Sequence, residues 1–363
     1  MKTILTFGEI MGRLCPENFQ RFRQSMPGKL DMTFAGAEAN VAASIATLGG
    51  KARFVTSLPN NAITEACLGV LTGIGIDTSG IKLVDYGRMG IYFVERGANQ
   101  RPSRVIYDRN ATAIALTKGA DYDWDGLMGD AQWLHTTGIT AALSEISAEA
   151  TLTAVQEAKK RGLTVSCDLN FRKKLWQWGN NQSPKELAQA TMRKIIPYVD
   201  VVIGNEEDAH DVLGISAENT DIEGGKIDGE KYSQVAEEII RQFPNVKRVA
   251  ITLRESLSAT HNNWSAMLYD ASHRKAFFAP LVDGEYAPYE IKAIVDRVGG
   301  GDSFGAALIF ALTTPEYSDP QSAIRFAVAS SCLAHSINGD FNFSTRSEVE
   351  ALMQGSGSGR VVR

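Results

Sequence analysis

Cysteine is scarce and has no Cys-x-x-Cys spacing. Cys15, Cys67, Cys167 and Cys332 are the only four in 363 residues, and they lie far apart. This argues against a disulfide framework or a cysteine metal site and predicts reduced, buried thiols in a cytoplasmic protein. No apolar run approaches the roughly 18 residues of a membrane span. The apolar stretch of the opening Met1 to Gly12 is too short for a secretory signal, and Glu9 interrupts it. A dominant charge is missing too. Against 42 Asp and Glu stand 37 Lys and Arg, a net charge of -5 with a pI near 5.7. That balance argues against a general nucleic-acid or membrane-surface binder, while leaving room for a local basic site facing an acidic substrate. There is no internal repeat. The first apolar strand, Thr3 to Phe7, runs into Gly8-Glu9. A Gly-x-Gly-x-x-Gly turn is absent there, so a dinucleotide oxidoreductase ranks last among the readings.

What is present is a regular α/β alternation. With 44% hydrophobic and 22% charged residues over this length, the chain suits one large α/β domain with an appendage, or two domains. Thr3 to Phe7, a helix from Ala35 to about Leu48 and a strand from Ala52 to Ser57 make a β-α-β pattern. Residues 61 to 76 read as helix. Arg88 to Glu95 and Arg104 to Arg109 alternate as strands joined by a turn at Gly97 to Pro102, and residues 12 to 33 look like an excursion from the sheet. Beyond Trp133 come strands at 133 to 137, 163 to 168, 199 to 204 and 248 to 253. Helices are expected at 147 to 161, 185 to 196 and 232 to 243, with another starting at Asn205. Residues 219 to 228 read as a Gly- and charge-rich loop. The tail from Gly355 to Gly359, with Arg360 and Arg363 near it, reads as flexible.

One stretch organises the rest: Asp296-Arg297-Val298-Gly299-Gly300-Gly301-Asp302, followed by a helical pattern from Ser303 to Leu312. Glycines let backbone N–H groups face a ligand, and a helix N-terminus adds free donors and partial positive charge. Together they suit a phosphate. Asp302 would repel phosphate, so it fits best as the acceptor of a proton from an attacking hydroxyl. The competing reading makes it a helix N-cap.

Asp296 to Leu308 resembles the carboxy-terminal signature D-T-x-G-A-G-D of the PfkB, or ribokinase-like, carbohydrate kinases, with Arg297 for Thr and Gly300 for Ala. The resemblance runs from Gly8 to Asn342. It implies a ribokinase-like α/β fold: a mostly parallel sheet flanked by helices (1–11, 34–87, 114–345), a β-lid (12–33, 88–113) and a carboxy-terminal helix and tail (346–363). It makes Asp302 the catalytic base and Gly299, Gly300 and Gly301 the anion hole. Ala35 to Gly49 resembles the family's G-G-x-x-x-N-x-A segment, pointing to Gly36 and Asn40 as sugar ligands. Asp168 to Arg172 resembles the D-x-N-x-R of the acid-sugar members, and Gly90 to Phe93 and Val105 to Arg109 resemble their lid strands.

By that resemblance Tyr92, Tyr107, Arg109 and Arg172 bind a sugar acid, with the arginines near its carboxylate, which their planar forks match. Asn170, Asn205, Thr252 and Asn338 fall on the nucleotide side. Asn205 to Asp208 resembles N-x-x-E, so Glu207 or Asp208 would organise Mg²⁺ through water. Ile251 to Leu257 occupies the T-x-G-x-x-G nucleotide loop, with Arg254 and Leu257 in place of its glycines. Arg254 would then contact a phosphate or face solvent. The expected activity is ATP- and Mg²⁺-dependent phosphorylation of 2-keto-3-deoxygluconate, with a lid that excludes water and is able to pair two copies. A neutral-sugar, fructokinase-like enzyme and a non-catalytic sugar binder are the alternatives.

Overall fold

The computed structural model describes residues 2–205, 207–216 and 229–355. The loop expected at 219–228, Glu206 and the tail beyond Gly355 lie outside the described residues. In chain order the strands are β1 Thr3–Phe7, β2 Met11–Cys15, β3 Asp31–Ala35, β4 Ala52–Pro59, β5 Ile81–Val84, β6 Gly90–Glu95, β7 Arg104–Asp108, β8 Ala131–Thr137, β9 Thr164–Asp168, β10 Val201–Asn205, β11 Arg248–Ser258, β12 His261–Asp270, β13 Lys275–Ala279, β14 Leu281–Val282, β15 Glu285–Tyr286 and β16 Tyr289–Ile291.

The main sheet has the order β13-β12-β11-β10-β9-β8-β1-β4-β5, with β16 also pairing β12. From β11 to β5 every pairing is parallel, and β12, β13 and β16 add antiparallel edges. A parallel sheet needs cover on both faces, and the strand residues divide accordingly. Leu5, Phe7, Leu134, Val202 and Val249 join one apolar layer, with the helices Glu145–Lys160, Pro184–Ile195 and Gly229–Gln242. Ile4, Trp133, Val201, Ile203 and Ala250 join the other, with the helices Ala37–Thr47, Gly300–Leu312 and Pro320–Ala334. This sheet, its helices and the separate small sheet form the ribokinase-like fold that the sequence implied.

The small sheet has the order β3-β2-β6-β7 and gathers its own apolar core from Met11, Cys15, Ala35, Tyr92 and Val94. Strands β6 and β7 lie within the expected lid segment 88–113, while β2 begins at Met11 and β3 ends at Ala35, just outside 12–33. Two local expectations need revision. The helix after the glycines begins at Gly300, so Gly299 is its N-cap and Asp302 lies inside the first turn. The helix expected from Asn205 is a single π-helical turn at Ala209–Leu213. The Asn205 side chain accepts from the backbone N–H of Glu207 and Asp208 at 2.8 and 3.0 Å, and Gly214 in the left-handed region closes the turn.

Candidate active site

The carboxyl ends of the parallel strands, the lid and the N-terminus of the helix Gly300–Leu312 enclose one cavity, lined by 29 residues including Glu9, Gly36, Asn40, Tyr92, Arg109, Asp168, Asp208, Thr252 and Asp302. Open parallel sheets bind ligands at this edge.

The glycine run is its floor. Gly299 has a φ of 87°, and a Cβ there would collide with the carbonyl oxygen of Asp340. Only glycine fits this close approach. The first-turn N–H groups of Gly300, Gly301 and Asp302 have no acceptor within the helix, so they form a positive rim. Asn40 joins this floor to the first β-α turn. Its Nδ2 donates to Asp302 Oδ2 at 2.6 Å, while its Oδ1 accepts from Gly36 N at 3.2 Å. Gly36 is crowded as well, since a Cβ would strike the carbonyl of Glu9. Burial pushes the Asp302 carboxyl up to about 7; the Asn40 donor and the Arg172 charge oppose that, and Asp340 and Glu38 add to it. A carboxylate titrating near neutrality suits a general base.

The lid is tied to this floor by charge. Arg13 on β2 is 2% exposed and donates to both Asp340 and Asp296, while Tyr92 O–H donates to the other oxygen of Asp340 at 2.7 Å. Burial opposes the Arg13 charge, but the two carboxylates outweigh it and raise its pKa. Asp296 Oδ1 also accepts from Val298 N at 3.2 Å, at the start of the glycine turn. Arg109 is buried, ion-paired with Glu9, and lies over the Tyr107 ring at 5.3 Å. The pair leaves one donor, Arg109 Nε, and one acceptor, Glu9 Oε1, without a partner.

Across the floor, Arg172 lines the cavity, is exposed, and donates to its own neighbour's carbonyl, Phe171 O, at 3.0 Å. Its charge acts on Asp168, Asp208 and Asp302. Asp168 is held well above the usual carboxylate range by burial and by the charges of Asp208 and Asp302. Asp208 is raised by burial, and its oxygens accept from the N–H groups of Phe171 and Asn205, each at 3.0 Å.

Of the residues singled out in the sequence, the cavity brings together Asp302, Gly299, Gly300, Gly301, Gly36, Asn40, Tyr92, Tyr107, Arg109, Arg172, Asn170, Asn205, Thr252 and Asp208. Two do not line it. Glu207 is exposed, and Asn338 is exposed and accepts from Arg96 Nη1 of the segment joining β6 and β7 at 2.6 Å. Sequence reasoning quoted Glu9, Asp168 and Asp296 within its motifs without giving them a role, and it missed Arg13, Asp340 and His335. Asp340 sat two residues from the chosen Asn338, and Arg13 was read as part of a polar excursion. Among the described residues no group of three or more His, Cys, Asp or Glu gathers to cage a metal.

A cavity with a helix N-terminus suited to phosphate, a buried carboxyl beside it and a covering sheet suits a small-molecule kinase. The chain belongs to the PfkB family of carbohydrate kinases, whose model matches residues 1–253, and it is a sugar kinase. It is 44% identical to the crystal structure of a 2-dehydro-3-deoxygluconokinase from Thermotoga maritima, with 98% of each chain covered and a TM-score of 0.87. It is 29% identical to a 2-dehydro-3-deoxygalactonokinase from Haloferax volcanii over 98% of each chain, and 26% identical to a probable fructokinase-4 from Arabidopsis thaliana over 97% of each.

Proposed function

We propose that the protein phosphorylates 2-keto-3-deoxygluconate (2-dehydro-3-deoxygluconate) on its 6-hydroxyl at the expense of ATP. The observation that carries this reading is Asp302, a buried carboxyl near pKa 7 set beside the free N–H groups of a helix terminus. The acceptor lies under the lid, among Gly36, Asn40, Tyr92, Tyr107, Arg109 and Arg172. Asp302 takes the proton of the 6-hydroxyl as its oxygen bonds to the γ-phosphorus. The bond from that phosphorus to the bridging oxygen breaks, and ADP leaves with the electron pair. Gly299, Gly300 and Gly301 present their N–H groups to the equatorial oxygens, and Asn40 aims the base. Such transfer rests mainly on positioning and charge stabilisation.

The nucleotide lies towards Asn170 and Asn205 at the ends of β9 and β10 and Thr252, which pairs with Asn205 on β11, whereas Asn338 bonds to Arg96 outside the cavity. The acidic wall suits a Mg²⁺ held through water, since Asp168 and Asp208 both line the cavity and the charge of Asp208 disfavours that of Asp168. Mg²⁺ would neutralise phosphate charge there; Asp208 and Asp168 would hold its waters, and the exposed Glu207 is a poorer candidate.

Sugar-acid specificity draws on the kinases of two 2-dehydro-3-deoxy sugar acids among the relatives and on Arg172, a guanidinium in the cavity with no carboxylate of a described residue bonded to it. The fructokinase likeness keeps a neutral-sugar enzyme as the rival. A coupled ADP-release assay over a panel of sugar acids and neutral sugars decides between them. Turnover confined to 2-keto-3-deoxygluconate and its galacto epimer supports the proposal, and preference for fructose overturns it.

A further inference from the structure

Two of the departures from the family signatures are arginines, and the fold brings them together. Arg254 stands at the first glycine of T-x-G-x-x-G and Arg297 at the threonine of D-T-x-G-A-G-D, and both line the cavity. They lie close enough that each charge acts on His335 and that of Arg254 acts on Arg297. Like charges so placed destabilise one another unless an anion lies between them.

Neither is ion-paired with a carboxylate among the described residues, although the charge of Asp296 acts on Arg297 from a distance. Arg254 is exposed and takes part in no ion pair or hydrogen bond with a described residue. Arg297 Nη2 donates only to neutral oxygens: Ser258 O at 3.1 Å, Ala259 O at 2.8 Å and Asn262 Oδ1 at 3.3 Å. Arg297 Nε is left without a partner. So is Nδ2 of Asn262, a residue 0% exposed that also lines the cavity. Because Arg297 occupies the amide oxygen, the face that Asn262 has left is its N–H donors. Two guanidinium groups and an amide thus offer donors with no acceptor among them, and a buried donor left unmade is costly.

Position decides which anion belongs there. Arg254 is carried by β11, and three strands, β10, β9 and β8, separate β11 from β1. At about 4.8 Å per strand that is roughly 19 Å across the sheet from the Gly36 and Asn40 turn. In-line transfer sets the attacking and leaving oxygens on opposite sides of the phosphorus. With the acceptor under the lid, the leaving group points towards β11.

We propose that Arg254, Arg297 and Asn262 form a subsite for the non-transferred phosphate groups of the donor nucleotide, binding the charge that grows on the leaving diphosphate. This rests on the kinase reading above and adds to it side chains that do the work at two positions where the family pattern has a small residue.

Arg254→Met carries the test, because Arg254 supports no other described residue. Arg297 holds the β11–β12 hairpin tip, so Arg297→Lys is used there, with thermal melting as the folding control. Calorimetric titration with ADP and with inorganic tripolyphosphate, without sugar acid, should show about tenfold or weaker binding in Arg254→Met, the low end expected for a lost charged hydrogen bond. The dependence of tripolyphosphate binding on salt should flatten, which a merely structural role would not produce. KM for ATP should rise similarly, with KM for the sugar acid held within about twofold on the same scale. Unchanged ADP and tripolyphosphate binding in Arg254→Met, or a rise in sugar-acid KM instead, overturns the subsite. If wild type binds ADP yet phosphorylates no sugar acid, the acceptor assignment falls and the two binding probes still decide the subsite.

Discussion

The cavity's arginines divide into two kinds. On the lid side Arg13 meets Asp296 and Asp340, and Arg109 meets Glu9, so their charge is matched within the protein. On the β11 side Arg254 and Arg297 have no carboxylate of a described residue bonded to them, and Arg172, across the floor, shares that condition. Buried, matched arginines fix geometry, because a charge removed from water must be paired wherever it lies. Arginines left unmatched around a cavity await an anion from outside. On the proposed reading the lid half positions, and the other half receives charge.

The largest test of that division is at its centre. Asp302→Asn should lower kcat by about 10²–10⁴-fold, the usual cost of losing a general base, while sugar binding survives. Folding should not suffer. Burial raises the Asp302 pKa to about 7 from 3.8. Its contribution to stability is full at low pH and lost as pH rises through 7. The variant should thus melt no lower than wild type at pH 8, and a kcat near normal would return Asp302 to a structural role.

Next in size is the matched half. Arg13→Met strands two buried carboxylates, and breaking a buried pair costs about 3–5 kcal/mol. Chemical denaturation should read that loss, and a change under about 1 kcal/mol would mean that the pair is effectively solvated. A smaller effect concerns proton affinity. Asn40→Ala removes a donor that favours the Asp302 carboxylate, so the acid limb of the pH profile of kcat/KM should move to higher pH. A limb that stays fixed or falls would separate Asn40 from the base. The smallest effect is expected at Asn338, which lies outside the cavity. Asn338→Ala should leave KM for ATP within about twofold, a fraction of a kcal/mol, and a larger rise would restore it to the nucleotide side.

Much of this was legible before the fold was known. Glycines that cannot be replaced, apolar strands at regular intervals and alternating lid strands leave local signatures, and they led to Asp302, Gly299 and the parallel sheet. Arg13 left none. Its partners lie 283 and 327 residues away, and Asn40 reaches Asp302 across 262. A contact so distant in sequence has no spacing to read. Arg109 was legible as a cavity residue, but its neutralisation by Glu9, 100 residues earlier, was not. The acidic run after β10 does open a helical turn, with Asn205 accepting from the N–H groups of Glu207 and Asp208 as a helix cap does, but the turn is a single π-helical one that Gly214 closes.

Whether the acceptor carries a carboxylate decides the specificity of this kinase. The direct measurement is kcat/KM for 2-keto-3-deoxygluconate divided by that for fructose, in wild type and in Arg172→Met. Methionine keeps most of the apolar stem and deletes the charge. Loss of a charged hydrogen bond of about 1.5–3 kcal/mol should shrink the ratio by roughly 10- to 150-fold, with fructose turnover little changed. A wild type that prefers fructose, or a ratio unmoved by Arg172→Met, would contradict sugar-acid recognition and leave a sugar kinase of another specificity.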